Sequence, residues 1–246
     1  MTEPKLIKPE WPAPANVAAL FSTRLGGVSQ APYASLNLGQ HVGDEPAHVA
    51  ANRAALRQLL PGEPVWLNQV HGTNVVDADS HPAIPDADAS IARRPGTVCA
   101  VMTADCLPVL LCDRAGSVVA AAHAGWRGLL NGVLEQTVDA MGANPEQLMA
   151  WLGPAIGPDA FEVGAEVREA FVAFDPAADD GFEPIPEGKY LADIYLLARQ
   201  RLRRMGLTDI HGGEHCTVIE RERFFSYRRD GRTGRMAALI WLRPQG

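Results

Sequence analysis

Three residues of the chain have the chemical types and surroundings of a metal site: His71, Cys106 and His123. Each ends or follows an apolar, strand-like run and lies beside glycine, proline or a charged residue. One thiolate and two imidazoles form a ligand set that suits zinc and, formally, copper. Because zinc prefers four ligands, three protein ligands leave one position open, which is typical of a catalytic site rather than a structural one.

Each of the three residues also has a simpler interpretation. His71 and His123 could each be a core or turn histidine that bonds a backbone carbonyl, and Cys106 could be a buried thiol. The separations along the chain are long and contain no compact Cys-x-x-Cys signature, so spacing alone leaves open whether the three converge. The metal-site hypothesis therefore depends on the three residues together.

Composition and charge limit the kind of protein that carries these residues. The 246 residues are 47% hydrophobic and 21% charged, which is an ordinary globular balance, and a single domain spanning residues 1–246 is the simplest interpretation. The net charge of −7 argues against a nucleic-acid partner, so any anion must be bound by a local group of arginines. Residues 1–9 contain no apolar signal region, and the most apolar stretch, residues 98–112, is too short for a membrane-spanning helix. We therefore expect a cytoplasmic monomer without membrane contact.

The cysteines favour a reducing compartment. Four cysteines in a chain of this length are typical of free thiols rather than of a disulfide framework. Cys99 and Cys112 lie in apolar runs and are expected to be small core residues. Cys216 is less clear, because His211 and His215 are close to it in the sequence.

Short buried strands are predicted where two of the candidate ligands lie. Three apolar runs separated by turn residues, residues 97–103, 107–112 and 117–123, have the valine and alanine content of paired strands. Further strands are predicted at residues 147–152, 218–219 and 236–242, and at residues 65–76 with a break around His71-Gly72.

Helices are predicted between these strands. Asp44 is a candidate N-cap for a helix that contains Pro46 in its first turn and ends near Leu60. Helical spacing also predicts residues 126–141, stopped by Gly142, and residues 166–174 and 190–205, the last with arginines near its C-terminal end. Residues 175–189 predict an exposed, mobile loop. Strands clustered between helices favour an α+β fold over a regular βαβ series.

Ten short motifs follow one another along the chain, and glycine, proline and polar residues recur in them. They occupy residues 21–29, 35–39, 41–44, 52–53, 68–72, 103–108, 122–128, 152–156, 225–230 and 233–235. Examples are Asn68-Gln69-Val70-His71-Gly72 and Ala122-His123-Ala124-Gly125-Trp126-Arg127-Gly128. In content and order these motifs resemble the YfiH family, also called the laccase-domain or peptidoglycan editing factor family. The similarity covers nearly the whole chain.

The resemblance implies a fold, a metal and an activity. The implied fold is an α+β layered sandwich of mixed β-sheets flanked by helices, and the implied metal is zinc held by His71, Cys106 and His123. The implied activity is purine nucleoside phosphorylase acting on adenosine, inosine and S-methyl-5′-thioadenosine, with adenosine deaminase activity on the side. The partners are then a purine nucleoside and phosphate.

Further residues join the predicted site on the same basis. Asp105 adjoins the candidate cysteine and is predicted to orient a ligand or to shuttle a proton, although a turn or a cap is its simpler role. Guanidinium groups fit phosphate in a bidentate manner, which makes three arginines candidates, although each could instead form a structural ion pair. The predicted substrate-binding residues are Arg24, Asn37, Gln69, Arg127 and Arg228.

Other functions compete with phosphorolysis. A copper-dependent polyphenol oxidase (laccase) would use the same two imidazoles and thiolate, but the sequence has no His-Cys-His or His-x-His run to suggest a trinuclear copper cluster. A cysteine hydrolase that edits peptidoglycan precursors would use Cys106 as nucleophile with a histidine base. A non-catalytic zinc protein is the fourth interpretation, and the missing fourth ligand counts against it.

Overall fold

Fourteen strands and six α-helices make up the part of the chain that the computed structural model describes, residues 3–80 and 84–243. The strands are β1 (Leu6–Ile7), β2 (Val17–Ser22), β3 (Pro64–Val65), β4 (Val75–Asp77), β5 (Ala89–Ala92), β6 (Val98–Thr103), β7 (Leu107–Asp113), β8 (Val119–Ala124), β9 (Leu148–Leu152), β10 (Glu162–Val163), β11 (Phe182–Ile185), β12 (Lys189–Ala192), β13 (Asp209–Gly212) and β14 (Met236–Leu242). The helices are α1 (Pro46–Arg57), α2 (Trp126–Asn131), α3 (Val133–Met141), α4 (Ala165–Phe174), α5 (Ile194–Arg204) and α6 (Tyr227–Asp230). No helix in these ranges has the length and apolar character needed to cross a bilayer.

Two mixed sheets carry the fold. The five-stranded sheet has the order β1-β2-β14-β6-β3, and the six-stranded sheet has the order β13-β9-β7-β8-β5-β4. Neighbouring strands are antiparallel at the centre of both sheets, while β3 pairs with β6, β4 with β5 and β13 with β9 in parallel. A small antiparallel sheet, β10-β12-β11, lies apart from them in the strand order.

The two large sheets pack face to face, because alternate residues of their central strands enter one core. Val101 on β6 and Ile240 on β14 share this core with Leu110 on β7 and Ala121 on β8. The intervening residues point to the outer faces, as Leu239 does. Every residue of β6, β7, β8 and β14 is buried, since both faces of each sheet are covered. This is why these strands are continuous apolar runs in the sequence rather than alternating ones.

Helices cover the outer faces of both sheets. Leu56 of α1 packs with Leu239 outside the five-stranded sheet. On the other side, Val133 of α3 and Leu197 of α5 share a core with Val109 of the six-stranded sheet. The result is a layered helix–sheet–sheet–helix sandwich, which confirms the predicted α+β class with mixed sheets flanked by helices.

Several predicted elements are confirmed within two residues. They are the strands at residues 97–103, 107–112, 117–123, 147–152 and 236–242 and the helix at residues 166–174. All four cysteines are free thiols, and Cys99 and Cys112 are buried as predicted. Burial raises the pKa of both buried thiols to about 12. The single-domain prediction stays a prediction, and residues 1–2, 81–83 and 244–246 lie outside the described residues.

The predicted strand at residues 65–76 is wrong. β3 ends at Val65 in the five-stranded sheet, and β4 begins at Val75 in the six-stranded sheet. The chain crosses from one sheet to the other between them, and this crossing loop contains His71 with a φ of 58°. The break that the sequence suggested at His71-Gly72 is therefore a change of sheet.

Two helix predictions need new boundaries. Gly132, with a φ of 98°, divides the predicted helix 126–141 into α2 and α3. The helix predicted from residue 190 begins instead at Ile194, because Tyr190 pairs within the small sheet and Asp193 caps the helix through the Leu196 N–H. The predicted N-cap at Asp44 is also wrong: Glu45 is the N-cap residue of α1, and the Asp44 carboxylate accepts hydrogen bonds from the side chains of Ser29 and Asn37.

Two short segments also differ from prediction. Residues 175–189 contain a 3-10 turn and strand β11 instead of a loop only, because Phe182 is buried against Phe171. Residues 218–219 form a turn instead of a strand, and Ile219 is 61% exposed. Strands β1, β2, β5, β10 and β13 were not predicted.

Candidate metal centre and the two cavities beside it

His71, Cys106 and His123 converge in the structure. One potential ligand atom from each lies within 4.8 Å of the others, and this is the one group of three such side chains found among the described residues. Cys106 Sγ is 3.9 Å from His71 Nε2, and the centroids of the two imidazole rings are 4.9 Å apart. We call these three residues the triad.

Strand ends and a sheet crossing bring the triad together. Cys106 lies in the turn between β6 of one sheet and β7 of the other, and His123 is the penultimate residue of β8. Pairing of Leu107 with Ala124 in the β7–β8 register places Cys106 opposite Gly125. A Cβ atom on Gly125 would lie 3.0 Å from Cys106 Sγ and 3.2 Å from Cδ2 of His71, so this position favours glycine.

Asp105 fixes the turn that presents the cysteine. It has a φ of 89°, a left-handed conformation that costs free energy unless its surroundings hold it. Its Oδ1 accepts a hydrogen bond from Thr217 Oγ1 at 2.6 Å, and its Oδ2 accepts one from the Arg228 backbone N–H at 2.6 Å. Because both carboxylate oxygens are engaged, the geometry favours an anchoring role over the predicted proton shuttle.

Asp88 supports both histidines and was missed by the sequence analysis. It is fully buried, and its Oδ1 lies 2.8 Å from His123 Nδ1. The same carboxylate accepts the backbone N–H groups of Val70, His71 and Gly72 at 3.2, 3.0 and 2.7 Å. Because Nδ1 of His123 bonds this carboxylate, Nε2 is the ring nitrogen that would bind a metal. The available signal was an acid between two alanines just before an apolar strand.

The charges of the triad depend on one another. Burial by itself would raise the pKa of Cys106, but the positive charge of His123 and hydrogen bonds from both histidines lower this pKa to about 6. Burial would likewise lower the pKa of His123, but the Cys106 thiolate and Asp88 raise it to about 9. Although burial opposes it, hydrogen bonds from His123 and backbone N–H groups keep the pKa of Asp88 below its usual value. Cys106 is therefore disposed to be a thiolate, the form that binds metals.

The donor set fits a metal ion. A thiolate and two imidazoles suit zinc, and a carboxylate behind one imidazole is the usual support of a zinc-bound histidine. Asp88 provides that support to His123 at 2.8 Å. With these three residues as ligands, a tetrahedral metal ion would keep a fourth position open.

Two cavities meet at the triad. The first has a volume of about 470 Å³ and the second about 400 Å³, and both lie in the range typical of ligand sites. They share His71, Ala104, Cys106 and Tyr227 as lining residues. The triad therefore forms part of the wall between a first and a second cavity, and His123 faces the first one.

Three predicted substrate-binding residues line these cavities. Gln69 lines the first cavity, but its side-chain amide bonds both the N–H and the carbonyl of Met102, at 2.7 and 2.8 Å. Arg127 and Arg228 line the second cavity. Arg127 stacks over the ring of Trp126 at 4.3 Å, and Arg228 donates to the Glu162 carbonyl at 2.8 Å.

The structure does not bring Arg24 and Asn37 to either cavity. Arg24 donates to the carbonyl oxygens of Ala34 and Arg221, both at 3.0 Å. Asn37 is fully buried, and its Oδ1 accepts the backbone N–H of Arg235 at 2.9 Å. Both side chains hold loops in place, so the prediction that they bind substrate is wrong for this geometry.

Arg235 and His41 line the first cavity and were missed as site residues. Burial and then the positive charges of Arg235 and Arg53 lower the pKa of His41, which keeps its imidazole neutral at neutral pH. The available signal was their position in two of the motifs that carry the family resemblance, at residues 41–44 and 233–235.

Comparisons with known proteins agree with this architecture. A family model described as multi-copper polyphenol oxidoreductase laccase matches residues 18–243. The purine nucleoside phosphorylase YfiH of Escherichia coli is 63% identical over 97% of this chain and 99% of that protein. The purine nucleoside phosphorylase PA4543 of Pseudomonas aeruginosa is 57% identical over 96% and 98%, respectively.

Solved structures give the same result. The crystal structure of Neisseria meningitidis protein NMB0706 superposes with a TM-score of 0.94 and 57% identity, covering 97% of this chain and 99% of that one. The crystal structure of the Bacillus licheniformis protein YfiH gives a TM-score of 0.86 at 33% identity, covering 92% and 93%. The chain belongs to the laccase-like YfiH family.

Proposed function

We propose that this protein is a zinc-dependent purine nucleoside phosphorylase. The observation that carries the proposal is the position of the triad, three potential metal ligands in the wall between two cavities. Two substrates can then approach the same atoms from different sides. The names of the relatives from Escherichia coli and Pseudomonas aeruginosa support the reaction class.

The chemistry requires two reactants in line. A phosphate oxygen attacks the ribose C1′ while the bond from C1′ to the purine nitrogen breaks, so positioning contributes much of the catalysis. His71, Cys106 and His123 would hold zinc, whose charge supplies stabilisation for an oxyanion at the reacting centre. Asp88 keeps His123 in the tautomer that this role requires. The proposed substrates are adenosine, inosine and S-methyl-5′-thioadenosine, with adenosine deamination as a side activity.

The protein's own side chains supply the surroundings of the nucleoside. The second cavity is lined by Trp126 and Phe161, whose rings offer apolar faces to a purine. Arg127 and Arg228 line the same cavity and offer donors at its edge. In the first cavity, Gln69 holds the backbone of Met102 in place.

A cysteine hydrolase is the second candidate, because one observation favours it. Cys106, His123 and Asp88 follow each other as nucleophile, base and orienting carboxylate do in hydrolases. A multi-copper oxidase would need several copper sites, whereas the described residues contain one group of potential ligands.

Product analysis tests the proposed reaction. Incubated with inosine and phosphate, the zinc-loaded protein should release hypoxanthine and ribose 1-phosphate in equal amounts. Without phosphate, release of hypoxanthine should nearly stop. Equal release of hypoxanthine with and without phosphate would contradict the proposal, as would activity that appears only after copper loading and consumes oxygen.

Alkylation of Cys106 separates the phosphorylase from the hydrolase. A zinc-bound thiolate should be shielded from iodoacetamide in the protein as isolated and become reactive after chelation. A hydrolase nucleophile should be labelled fastest in the untreated protein and should form a covalent acyl intermediate. Mass spectrometry of the Cys106 peptide distinguishes these outcomes.

A further inference from the structure

The two cavities beside the triad differ in charge. The residues found to line the first cavity include the guanidinium of Arg235 and no carboxylate. The second cavity is lined by three carboxylates, those of Asp105, Glu162 and Glu166, which outnumber its two guanidinium groups, those of Arg127 and Arg228. A phosphate dianion loses hydration when it enters a cavity, so it is favoured where a guanidinium replaces water and disfavoured beside carboxylates.

A buried hydroxyl in the first cavity lacks a hydrogen-bond partner. Thr103 lines this cavity and is 1% exposed. Within the described ranges, its Oγ1 makes no hydrogen bond. Leaving a buried hydroxyl unpaired costs free energy, and a ligand oxygen in the cavity would supply the missing partner.

Arg235 is held at this cavity by its backbone and by part of its side chain. Its N–H bonds Asn37 Oδ1 at 2.9 Å, and its carbonyl accepts the N–H of Leu38 at 3.0 Å. Its Nη1 donates to the carbonyls of Thr233 and Gly234 at 3.1 and 3.2 Å. Within the described part of the chain, Nε and Nη2 of Arg235 make no hydrogen bond. Their N–H groups can therefore donate to an anion, and the guanidinium is already oriented by the bonds of Nη1.

The second cavity has walls that suit an uncharged ring. Trp126, Ile156, Phe161 and Val167 give it aromatic and aliphatic walls. Such walls favour an uncharged heterocycle, which gains contact area and stacking there without losing strong hydration.

From these contrasts we infer that the two substrates enter from opposite sides of the triad, an inference that rests on the proposed function. Phosphate binds in the first cavity to Arg235 and Thr103, and the purine lies in the second cavity. At the shared wall, a hydrogenphosphate oxygen bonds to C1′, the bond from C1′ to the purine nitrogen breaks, and its electron pair leaves with the base. The proton of hydrogenphosphate ends on the base, which balances the step.

Kinetics with both substrates varied tests this division. Arg235→Met should raise the KM for phosphate at least about tenfold, and Thr103→Val about threefold, while each leaves the KM for inosine within about twofold. Phe161→Ala should do the reverse and raise only the KM for inosine. Arg114→Met, at a surface arginine paired with Asp209, is the matched control.

Calorimetric titration with inorganic phosphate gives a second measurement that does not depend on turnover. Zinc-loaded wild-type protein should bind phosphate, and Arg235→Met should bind it at least about tenfold more weakly. Equal phosphate affinity in both proteins would overturn the inference, as would an Arg235→Met effect on the KM for inosine alone. If Arg235→Met does not fold, unchanged phosphate binding in Thr103→Val overturns it. Wild-type phosphate binding that Arg235→Met weakens, without phosphorolysis of any nucleoside, would contradict the proposed function and still support Arg235 as the phosphate ligand.

Discussion

Two cysteines of this protein have histidines nearby, and one of them belongs to a candidate metal centre. At Cys106 the two histidines come from distant parts of the chain, and the three potential ligand atoms lie within 4.8 Å. At Cys216 the neighbouring histidines are close in sequence, yet the thiol accepts the Gly157 N–H at 3.2 Å, and the histidines bond elsewhere. Proximity in sequence is therefore a poor guide to convergence here.

The carboxylates behind the histidines explain the difference. Asp88 bonds Nδ1 of His123 from within the core and leaves Nε2 for the triad. Near Cys216, Oδ1 of Asp209 lies 2.6 Å from Nε2 of His211, and Oε1 of Glu220 lies 2.9 Å from Nδ1 of His215. Those two pairs are part-exposed, whereas the Asp88–His123 pair is buried and directs a ring nitrogen toward Cys106.

Removing each cysteine should give the largest contrast. Cys106→Ala should lower kcat/KM for phosphorolysis of inosine by at least about a thousandfold, because the metal and the stabilisation that it provides are lost. Cys216→Ala should stay within about threefold of wild type, since that thiol accepts one backbone hydrogen bond. Steady-state assays of both variants measure this, and an active Cys106→Ala protein would break the comparison.

The two carboxylates give the next contrast. Asp88→Asn should weaken zinc binding about 10- to 100-fold, because the charge behind His123 and the acceptor for three backbone N–H groups are changed. Asp209→Asn alters the partner of His211 in the same way and should leave zinc affinity unchanged. Competition with a chromogenic chelator measures both affinities, and equal values in the two variants would show that Asp88 does not support the metal.

Two glycines test the close packing around each thiol. A Cβ on Gly125 would lie 3.0 Å from Cys106 Sγ, and one on Gly157 would lie 3.2 Å from Cys216 Sγ. Gly125→Ala should therefore displace the ligand and weaken zinc binding about tenfold, whereas Gly157→Ala should lower only the midpoint of thermal unfolding. Zinc titration and calorimetric melting of both variants give the answer. Zinc affinity equal to that of the wild type in Gly125→Ala would contradict the expectation that a Cβ at this position displaces Cys106 enough to weaken binding.

The smallest effect is expected at two arginines outside the triad. Arg127→Lys keeps the charge but loses the planar group that stacks on Trp126 at 4.3 Å, so the KM for inosine should rise about three- to fivefold. Arg199→Lys, beside His211, should leave this KM unchanged, because Arg199 donates to the backbone carbonyls of Ile210 and Gly212. Initial rates at varied inosine separate the two, and a larger effect of Arg199→Lys would reverse the comparison.

Sequence reasoning succeeded where local pattern and burial agree. Residues 97–103 and 107–112 were predicted as strands because both faces of each are buried, which makes them continuous apolar runs. The change of sheet between Val65 and Val75 was missed, because the partners of β3 and β4 are distant in the sequence. Residue types alone left open whether the predicted ligands converge. The family resemblance predicted that they form one site.

The supporting residues could not be predicted from local pattern. Asp88 contacts His123, which is 35 residues away in the sequence, and Asn37 contacts Arg235, which is 198 residues away. The first contact depends on the pairing of β5 with β8, and the second joins a loop to the start of β14. Neither carboxylates nor arginines carry a local signal that distinguishes such a role from a surface one. Arg24, in a glycine-rich motif, was therefore predicted as a phosphate ligand, and Arg235 was not.

Metal analysis tests the central claim that the triad is a zinc centre. Protein purified without added metal should contain about one zinc per chain by mass spectrometry of its metals, as expected for one site with sulfur and imidazole ligands. In Cys106→Ala the zinc should be lost, and in Cys216→Ala it should be retained. Full zinc occupancy in Cys106→Ala, or copper in place of zinc in the wild-type protein, would contradict the account.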